Sequence, residues 1–246
     1  MQIDANLVND YLDYKNGTDK ADRLGPERAC SQGWITPRAM LCGIVLVTLA
    51  ACATGYPLIY WGGLWMIVIG VACVIGCFIY SLLFSRIALG DLLVILFFGI
   101  VPVCATFYLQ VHPLHPQIPI TQYPLSILQA GLAMGLVTDC LLLVNNYRDR
   151  DTDRHAGRQT LVTKIGPKAT EWTYLLFGVI AVVLCFSRSF LVVLYLPLHI
   201  FNWRQMVYYH EGRILNAVLS KTALAIILFA LLYSIGRVLE ICLPPM

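Results

Sequence analysis

The chain has 246 residues, of which 59% are hydrophobic and only 13% are charged, with a formal net charge of +3. Soluble domains usually carry about 25% charged residues, so this composition excludes an ordinary soluble protein. Apolar runs of about 20 residues, long enough to cross a bilayer as helices, recur along the chain and exclude a β-barrel, whose strands alternate.

These runs predict an all-α fold, a polytopic membrane helix bundle that forms a single domain over residues 1–246. The first dozen residues look like the end of a partial helix. Seven complete transmembrane helices are predicted after it, at 37–58, 64–84, 92–111, 124–144, 170–186, 190–206 and 217–238. The cysteines show no metal-type pairing, so neither a disulfide framework nor a zinc framework is expected.

Lys and Arg cluster in four of the polar segments that flank these spans. These segments are 15–38, 85–91, 148–168 and 204–221, and only Arg188 and Arg237 lie elsewhere. Cytoplasmic loops are enriched in Lys and Arg, and the four segments alternate correctly with seven spans. We therefore expect a multi-pass protein of the inner cell membrane with these segments on the cytoplasmic side.

Two short segments on that side share one pattern. Residues 6–13 read Asn-Leu-Val-Asn-Asp-Tyr-Leu-Asp, and residues 142–149 read Leu-Leu-Val-Asn-Asn-Tyr-Arg-Asp. Residues three or four apart share a helix face, so each segment predicts one stripe of amide and carboxylate oxygens. The two stripes are Asn6, Asp10 and Asp13, and Asn145, Asp149 and Asp153.

Clustered carboxylates need a compensating positive charge. Two of them about 5.5 Å apart repel by roughly 3 kcal/mol at an effective dielectric constant of 20. Mg²⁺ offsets this repulsion because it takes carboxylate and phosphate oxygens together. Solvated helix ends would explain one such segment, but two matching segments favour a metal site. We predict that both stripes bind Mg²⁺ and that the carboxylates of Asp10, Asp13, Asp149 and Asp153 act in catalysis.

Further polar residues near the stripes are predicted to bind a diphosphate or an acceptor molecule. Arg and Lys supply the donors that phosphate oxygens require. Arg86 and Arg158 are favoured because Tyr80 and Thr160 lie close to them in the sequence. The predicted substrate-binding residues are Asn6, Asn9, Lys15, Arg23, Tyr80, Arg86, Asp139, Asn145, Arg148 and Arg158.

Asp139 is unusual because it lies inside a predicted span. It precedes Asp149 by ten residues, which corresponds to about 15 Å along a helix. An ionisable residue within a membrane helix is expensive and indicates a function. Two interpretations stay open: Asp139 contacts the acceptor, or it makes a helix–helix hydrogen bond as a protonated acid.

The two motifs resemble those of a known family. Residues 6–19 look like the first Asp-rich motif of the UbiA superfamily of intramembrane prenyltransferases. Asp-Arg-Leu-Gly-Pro-Glu-Arg at 22–28 and Gly-Trp-Ile-Thr-Pro at 33–37 resemble its 1,4-dihydroxy-2-naphthoate branch, which is part of menaquinone biosynthesis. Residues 90–99 and 145–161 are similar to the same branch.

The resemblance implies a Mg²⁺-dependent transfer of a polyprenyl group from polyprenyl diphosphate to 1,4-dihydroxy-2-naphthoate. Carbon dioxide and diphosphate leave, and demethylmenaquinone forms. The expected partners are these two substrates and the lipid bilayer, with no nucleic acid. The family has nine helices, with the first Asp-rich motif at the end of the second. We therefore expect that this polypeptide lacks the first one to two helices.

Three other functions compete with this interpretation. A relative of the same superfamily could use 4-hydroxybenzoate or another aromatic acceptor, but the segment 22–37 favours the naphthoate. A cation-coupled transporter would place its acids at mid-membrane depth, where only Asp139 is expected. A CDP-alcohol phosphotransferase would contain an Asp-Gly-x-x-Ala-Arg run, which this sequence lacks.

Overall fold

The structure, a computed structural model, describes residues 2–15, 17, 24–82, 88–116, 118 and 122–242, with the side chains of 79–82 and 241 left out. Within these ranges the fold is all-helical and contains no strand. The helices are α1 (Gln2–Lys15), α2 (Pro37–Gly55), α3 (Pro57–Gly62), α4 (Leu64–Leu82), α5 (Gly90–Ile95), α6 (Val101–Val111), α7 (Leu125–His155), α8 (Leu161–Ile165), α9 (Pro167–Phe186), α10 (Leu196–Tyr209) and α11 (Leu215–Cys242). A π-helical segment, Leu96–Ile100, joins α5 to α6, and a 3₁₀ segment, Phe190–Tyr195, leads into α10.

Proline and threonine mark the starts of several helices. Helices α2, α3 and α9 begin with proline, whose missing N–H costs no hydrogen bond in the first turn. The Thr36 hydroxyl accepts a hydrogen bond from the Ala39 N–H at 3.2 Å and so caps α2. Thr160 and Thr163 form a reciprocal capping box at α8. This cap fixes the chain shortly after the second Asn/Asp segment.

Helix α7 is the centre of the bundle. Its 31 residues give a length of about 46 Å, which exceeds the roughly 30 Å of a bilayer's hydrocarbon core. A first buried cluster packs its middle against α9 and α11 and includes Val137, Ala181 and Phe229. A second cluster, closer to the end of α7, includes Leu143 and Met206. The extra length of α7 carries the second Asn/Asp segment beyond the apolar core.

Glycines let α5 and the π-helical segment touch the backbone of α7. A Cβ atom on Gly135 would lie 2.6 Å from the carbonyl oxygen of Ile95. A Cβ atom on Gly99 would lie 2.4 Å from the carbonyl oxygen of Gly131. No side chain fits at these two positions, so the helices approach each other more closely than any pair of larger residues would allow.

The π-helical segment precedes Pro102. Here the Val101 N–H donates to the carbonyl of Leu96, five residues earlier. A proline inside an α-helix lacks an N–H and collides with the carbonyl four residues before it. The wider π turn accommodates the proline without ending the helix. This π turn belongs to the same stretch that contacts the glycines of α7.

In the part of the chain that the structure describes, five helical stretches are long and apolar enough to cross a membrane. They are Pro37–Gly62, Gly90–Val111, Leu125–His155, Pro167–Phe186 and Leu215–Glu240. These five correspond to five of the predicted spans, so the polytopic membrane bundle is confirmed. The predicted partial helix at the N-terminus is α1.

The count of seven complete spans is not confirmed in the described residues. The prediction for 64–84 falls on α4, whose searched part, Leu64–Phe78, is a shorter apolar helix. The prediction for 190–206 falls on the 3₁₀ segment followed by the 14 residues of α10. Together these two pieces extend about 33 Å, but no single α-helix does so. Apolarity alone does not distinguish one long helix from two joined segments.

Candidate active site

Arg158 joins the two Asn/Asp segments. Its Nη2 atom donates a hydrogen bond to Oδ1 of Asp13, which lies 145 residues earlier in the chain. Its Nη1 atom lies 3.9 Å from Oδ1 of Asp153. Arg28 donates to the other carboxylate oxygen of Asp13 at 3.3 Å. The end of α1 and the end of α7 therefore meet at one end of the bundle, with arginine between their carboxylates.

Arg148 is buried and holds side chains of the second segment in place through hydrogen bonds. Its Nε and Nη2 atoms donate to the two oxygens of Asp149 at 2.8 and 2.6 Å. It also donates to the Oδ1 atoms of Asn145, at 2.9 Å, and Asn216, at 2.7 Å. Asn216 in turn donates to the carbonyl of Leu24 at 3.1 Å. A bidentate pair of this kind fixes the direction of the carboxylate.

Asp153 is the most enclosed carboxylate of this end. Only 7% of the residue is exposed. It lies within electrostatic reach of both Asp13 and Asp149, and Arg158 is the cation that acts on it most strongly. Three acids thus share one region whose charge is balanced by arginine in this structure. A dication or the loss of a neighbouring carboxylate would change that balance.

Asp10 has a local structural task. Its two oxygens accept hydrogen bonds from the backbone N–H groups of Ala29 and Cys30, at 2.9 and 3.1 Å. This contact ties the turn after the first Asn/Asp segment back onto α1. Burial and the nearby carboxylate of Asp10 raise the pKa of the Cys30 thiol. The predicted role of Asp10 as a metal ligand stays a prediction. These hydrogen bonds are compatible with that role, because a carboxylate oxygen can still accept a second contact.

The other predicted residues are distributed as follows. Asn6 and Lys15 are exposed on α1, and Asn9 is half-buried. Asp139 is fully buried within α7. Arg23, Arg86 and the side chain of Tyr80 lie outside the described residues.

A separate polar cluster occupies another side of the same end of α7. The Tyr147 hydroxyl lies 2.6 Å from Oε1 of Glu171 and 2.7 Å from Nδ1 of His210. Arg150 donates to the carbonyls of Tyr147 and His210 at 2.8 Å each. These contacts hold the loop between α10 and α11. Asp151 is exposed and lies 3.8 Å from Arg150, so this carboxylate does not join the three acids described above.

Sequence reasoning did not single out two further residues, Asn216 in this region and Asp91 elsewhere in the bundle. Asn216 lies 68 residues from Arg148 in the chain, and no repeated pattern contains it. Asp91 is buried at the start of α5. A carboxylate that opens an apolar span is a signal that could have identified Asp91.

The donor chemistry of this end fits Mg²⁺, although a preformed cage is not seen. Among the described residues, no three His, Cys, Asp or Glu side chains gather as a ready metal group. The oxygens of Asp13 and Asp149 instead face Arg28, Arg148 and Arg158. Carboxylates at one site are the oxygen donors that Mg²⁺ uses together with phosphate.

Comparison with curated proteins gives consistent relatives. The 1,4-dihydroxy-2-naphthoate octaprenyltransferase of Escherichia coli (strain K12) is 32% identical over 178 residues, which cover 68% of this chain and 54% of that protein. The protein of the same name from Mycobacterium tuberculosis is 31% identical over 242 residues, covering 93% and 78%. Human UbiA prenyltransferase domain-containing protein 1 is 29% identical over 258 aligned positions, covering 96% and 69%.

A solved structure supports the fold. The chain from work on digeranylgeranylglyceryl phosphate synthase in membranes matches with a TM-score of 0.60 and 14% identity, covering 96% of this chain and 81% of that one. The family model described as the UbiA prenyltransferase family matches residues 1–217. This chain therefore belongs to the UbiA prenyltransferase family.

Proposed function

We propose that the chain transfers a polyprenyl group from polyprenyl diphosphate to 1,4-dihydroxy-2-naphthoate. The allylic carbon–oxygen bond breaks, and its electron pair leaves with the diphosphate. The new carbon–carbon bond forms at the ring carbon that bears the carboxylate. Carbon dioxide then leaves, its bonding electrons return to the ring, and the product is the quinol, demethylmenaquinol. A separate two-electron oxidation outside this reaction converts the quinol to demethylmenaquinone.

The observation that carries this proposal is the meeting of the two Asn/Asp segments through Arg158. It brings acids and arginines that lie up to 145 residues apart in the chain to one end of an apolar bundle. Several relatives carry the name of 1,4-dihydroxy-2-naphthoate octaprenyltransferase, which favours the naphthoate over 4-hydroxybenzoate. The basic segments favour an orientation of this end towards the cytoplasm, in the inner membrane.

Two sets of side chains would divide the work on the diphosphate. Asp13, Asp149 and Asp153, with Asn145 beside them, would hold Mg²⁺, which acts as a Lewis acid on the leaving diphosphate. Arg28 and Arg158 supply donors for phosphate oxygens. Each arginine now pairs with Asp13, so the incoming phosphate and the metal would exchange partners with this ion pair. Arg148 keeps Asp149 and Asn145 oriented during that exchange.

The apolar helices serve the carbon chemistry. An allylic cation reacts with water, so the prenyl group must be enclosed away from solvent. The bundle offers apolar surface to the water-insoluble tail, and the bilayer supplies that tail. The polar groups described above are concentrated at one end.

The acceptor can be tested directly. Membranes that contain the protein, given a polyprenyl diphosphate and Mg²⁺, are expected to prenylate 1,4-dihydroxy-2-naphthoate and release one carbon dioxide per product. The measurement is chromatography of the prenylated quinone together with trapped carbon dioxide from a carboxyl-labelled acceptor. 4-Hydroxybenzoate in the same assay serves as the comparison. Prenylation of 4-hydroxybenzoate with refusal of the naphthoate would show that the acceptor is wrong.

Arg158→Gln is expected to weaken the use of polyprenyl diphosphate by about 10- to 100-fold, the usual effect of losing a group that supports a metal site. The variant keeps a polar side chain that can donate hydrogen bonds, although a shorter one, and removes the charge between Asp13 and Asp153. The measurement is KM for the diphosphate and kcat, each at several Mg²⁺ concentrations. Arg154→Gln is the matched control, because Arg154 is half exposed and lies 3.9 Å from the exposed Asp151. Equal effects of the two substitutions would contradict a specific role for Arg158.

A further inference from the structure

The carboxyl groups of Asp91 and Asp139 lie inside the bundle, away from the proposed active site. Asp91 is the second residue of α5, and Asp139 lies within α7. Asp139 is completely buried, and Asp91 is 7% exposed. Both belong to stretches that are apolar and long enough to cross a membrane. The proposed function uses neither of them.

The glycine contact between α5 and α7 explains why these acids meet. Ile95 touches Gly135 through backbone atoms. Asp91 lies four residues before Ile95, and Asp139 lies four residues after Gly135, which is about one helical turn in each case. The two helices run in opposite directions, since the Ala88 N–H before α5 donates to the Gln159 carbonyl beyond α7. Both acids therefore lie one helical turn from the Ile95–Gly135 contact and on the same side of it.

Three of their four carboxylate oxygens have no hydrogen-bond donor among the described residues: both oxygens of Asp139 and Oδ1 of Asp91. Asp91 is the charged neighbour that acts on Asp139. On the α9 side, the adjacent Cys140 thiol faces the Tyr174 carbonyl at 3.7 Å, and Nε2 of His199 lies 3.1 Å from the same carbonyl. An isolated ionised carboxylate is very costly in such surroundings, and two of them would also repel each other.

We propose that Asp91 and Asp139 form an intramembrane proton-binding site, in which the two carboxyl groups share at least one proton through an O–H···O hydrogen bond. The neutral acid supplies the donor, and its partner supplies the acceptor, so one proton satisfies groups on both helices. A divalent cation suits this place less well, because Mg²⁺ requires about six oxygen ligands and only two carboxyl groups are present.

The site has a consequence for the bundle. A shared proton joins α5 to α7 one turn from the point where their backbones touch. Full ionisation would place two negative charges one turn from this backbone contact and push the helices apart. The proton site therefore maintains the packing that holds the start of α5 beside the end of α7.

An apolar carbodiimide tests the proposal on the intact protein in its membrane. Dicyclohexylcarbodiimide adds the O–H of a protonated carboxyl group across its C=N bond, and the adduct rearranges to a stable N-acylurea without a leaving group. At pH 7, peptide mass spectrometry should find the adduct on Asp139 or Asp91. Its yield should exceed that on the exposed Asp151 by more than about a hundredfold, because an ordinary aspartate is protonated in only about one molecule in a thousand.

Infrared spectroscopy provides a second readout that does not depend on activity. The unmodified protein should show the C=O stretch of a protonated carboxylic acid at pH 7. Asp139→Asn should remove this band, and Asp91→Asn should shift it, because an amide then replaces the carboxyl group beside the buried Asp139. Absence of both the band and the adduct in the unsubstituted protein would overturn the proposal. Saturable protection from the carbodiimide by Na⁺ or Mg²⁺ would also overturn it and assign the site to a cation. Both readouts are independent of prenyl transfer, so failure of the proposed function would leave them unchanged.

Discussion

Asp149→Asn and Asp153→Asn should each lower prenyl transfer by about a thousandfold. A bound dication contributes several kcal/mol to the stabilisation of a charged transition state, and about 4 kcal/mol corresponds to a factor of a thousand. An amide has one acceptor oxygen and no charge, so it does not replace a carboxylate that balances Mg²⁺. The measurement is turnover at saturating substrates over a wide range of Mg²⁺ concentrations.

The two variants differ in their structural side effects. Asp149 accepts two of the hydrogen bonds that the buried Arg148 donates, so its replacement leaves a buried guanidinium with less compensation and should also lower Tm. Asp153 is not locked in this way, and its variant separates chemistry from folding. Asp151→Asn is the matched control on the same helix; it should leave turnover within about twofold, since exposed ion pairs contribute little. Near-normal turnover of Asp153→Asn at saturating Mg²⁺ would show that this cluster does not hold the metal.

Gly135→Ala should destabilise the folded bundle by about 3 kcal/mol, at the upper end of ordinary overpacking. The new methyl group would meet the Ile95 carbonyl oxygen at 2.6 Å and the Ile95 Cα at 2.9 Å. Backbone atoms cannot turn aside as a flexible side chain does, so α5 and α7 must separate. For a chain of this size we expect Tm to fall by roughly 6–12 °C.

Gly70→Ala provides the comparison for that measurement. Gly70 lies in the apolar helix α4, and a Cβ atom there would have no neighbour within 4 Å. Alanine is the better helix former, so this variant should be neutral or slightly stabilised. Thermal unfolding of both proteins in the same detergent checks the difference. A similar Tm for both variants would mean that the α5–α7 contact is looser than described.

Hydrophobic run length and helical spacing predicted much of the fold, because both are local properties of the chain. The apolar runs indicated the five long helices, and the period of the second segment gave a stripe that includes Asn145 and Asp149. The same reasoning could not show that Arg148 donates a hydrogen bond to Asn216, since that contact depends on how α11 packs against α7. The break before α10 was likewise hidden, because a 3₁₀ segment and an α-helix can be equally apolar.

The first Asn/Asp segment shows the limit most clearly. Spacing places Asp10 and Asp13 on one face, and the structure gives them different neighbours. Asp10 accepts from the turn at Ala29 and Cys30, whereas Asp13 faces Arg28 and Arg158. Which loop folds back over a helix depends on tertiary packing, and the helical period of the sequence carries no information about that packing. The metal-binding role of both residues remains a prediction.

The long-range contacts of this site also determine when the site can first form during synthesis of the chain. Asn216 donates to the carbonyl of Leu24, 192 residues away. A ribosome that adds about 5–20 residues per second needs roughly 10–40 s to cover that distance. During this interval α1 has already been synthesised, whereas Arg158 and, after it, Asn216 have still to be added to the chain. We therefore expect the proposed site to be completed late in translation, when α11 starts to emerge, and we expect unfinished chains in the membrane to transfer no prenyl group.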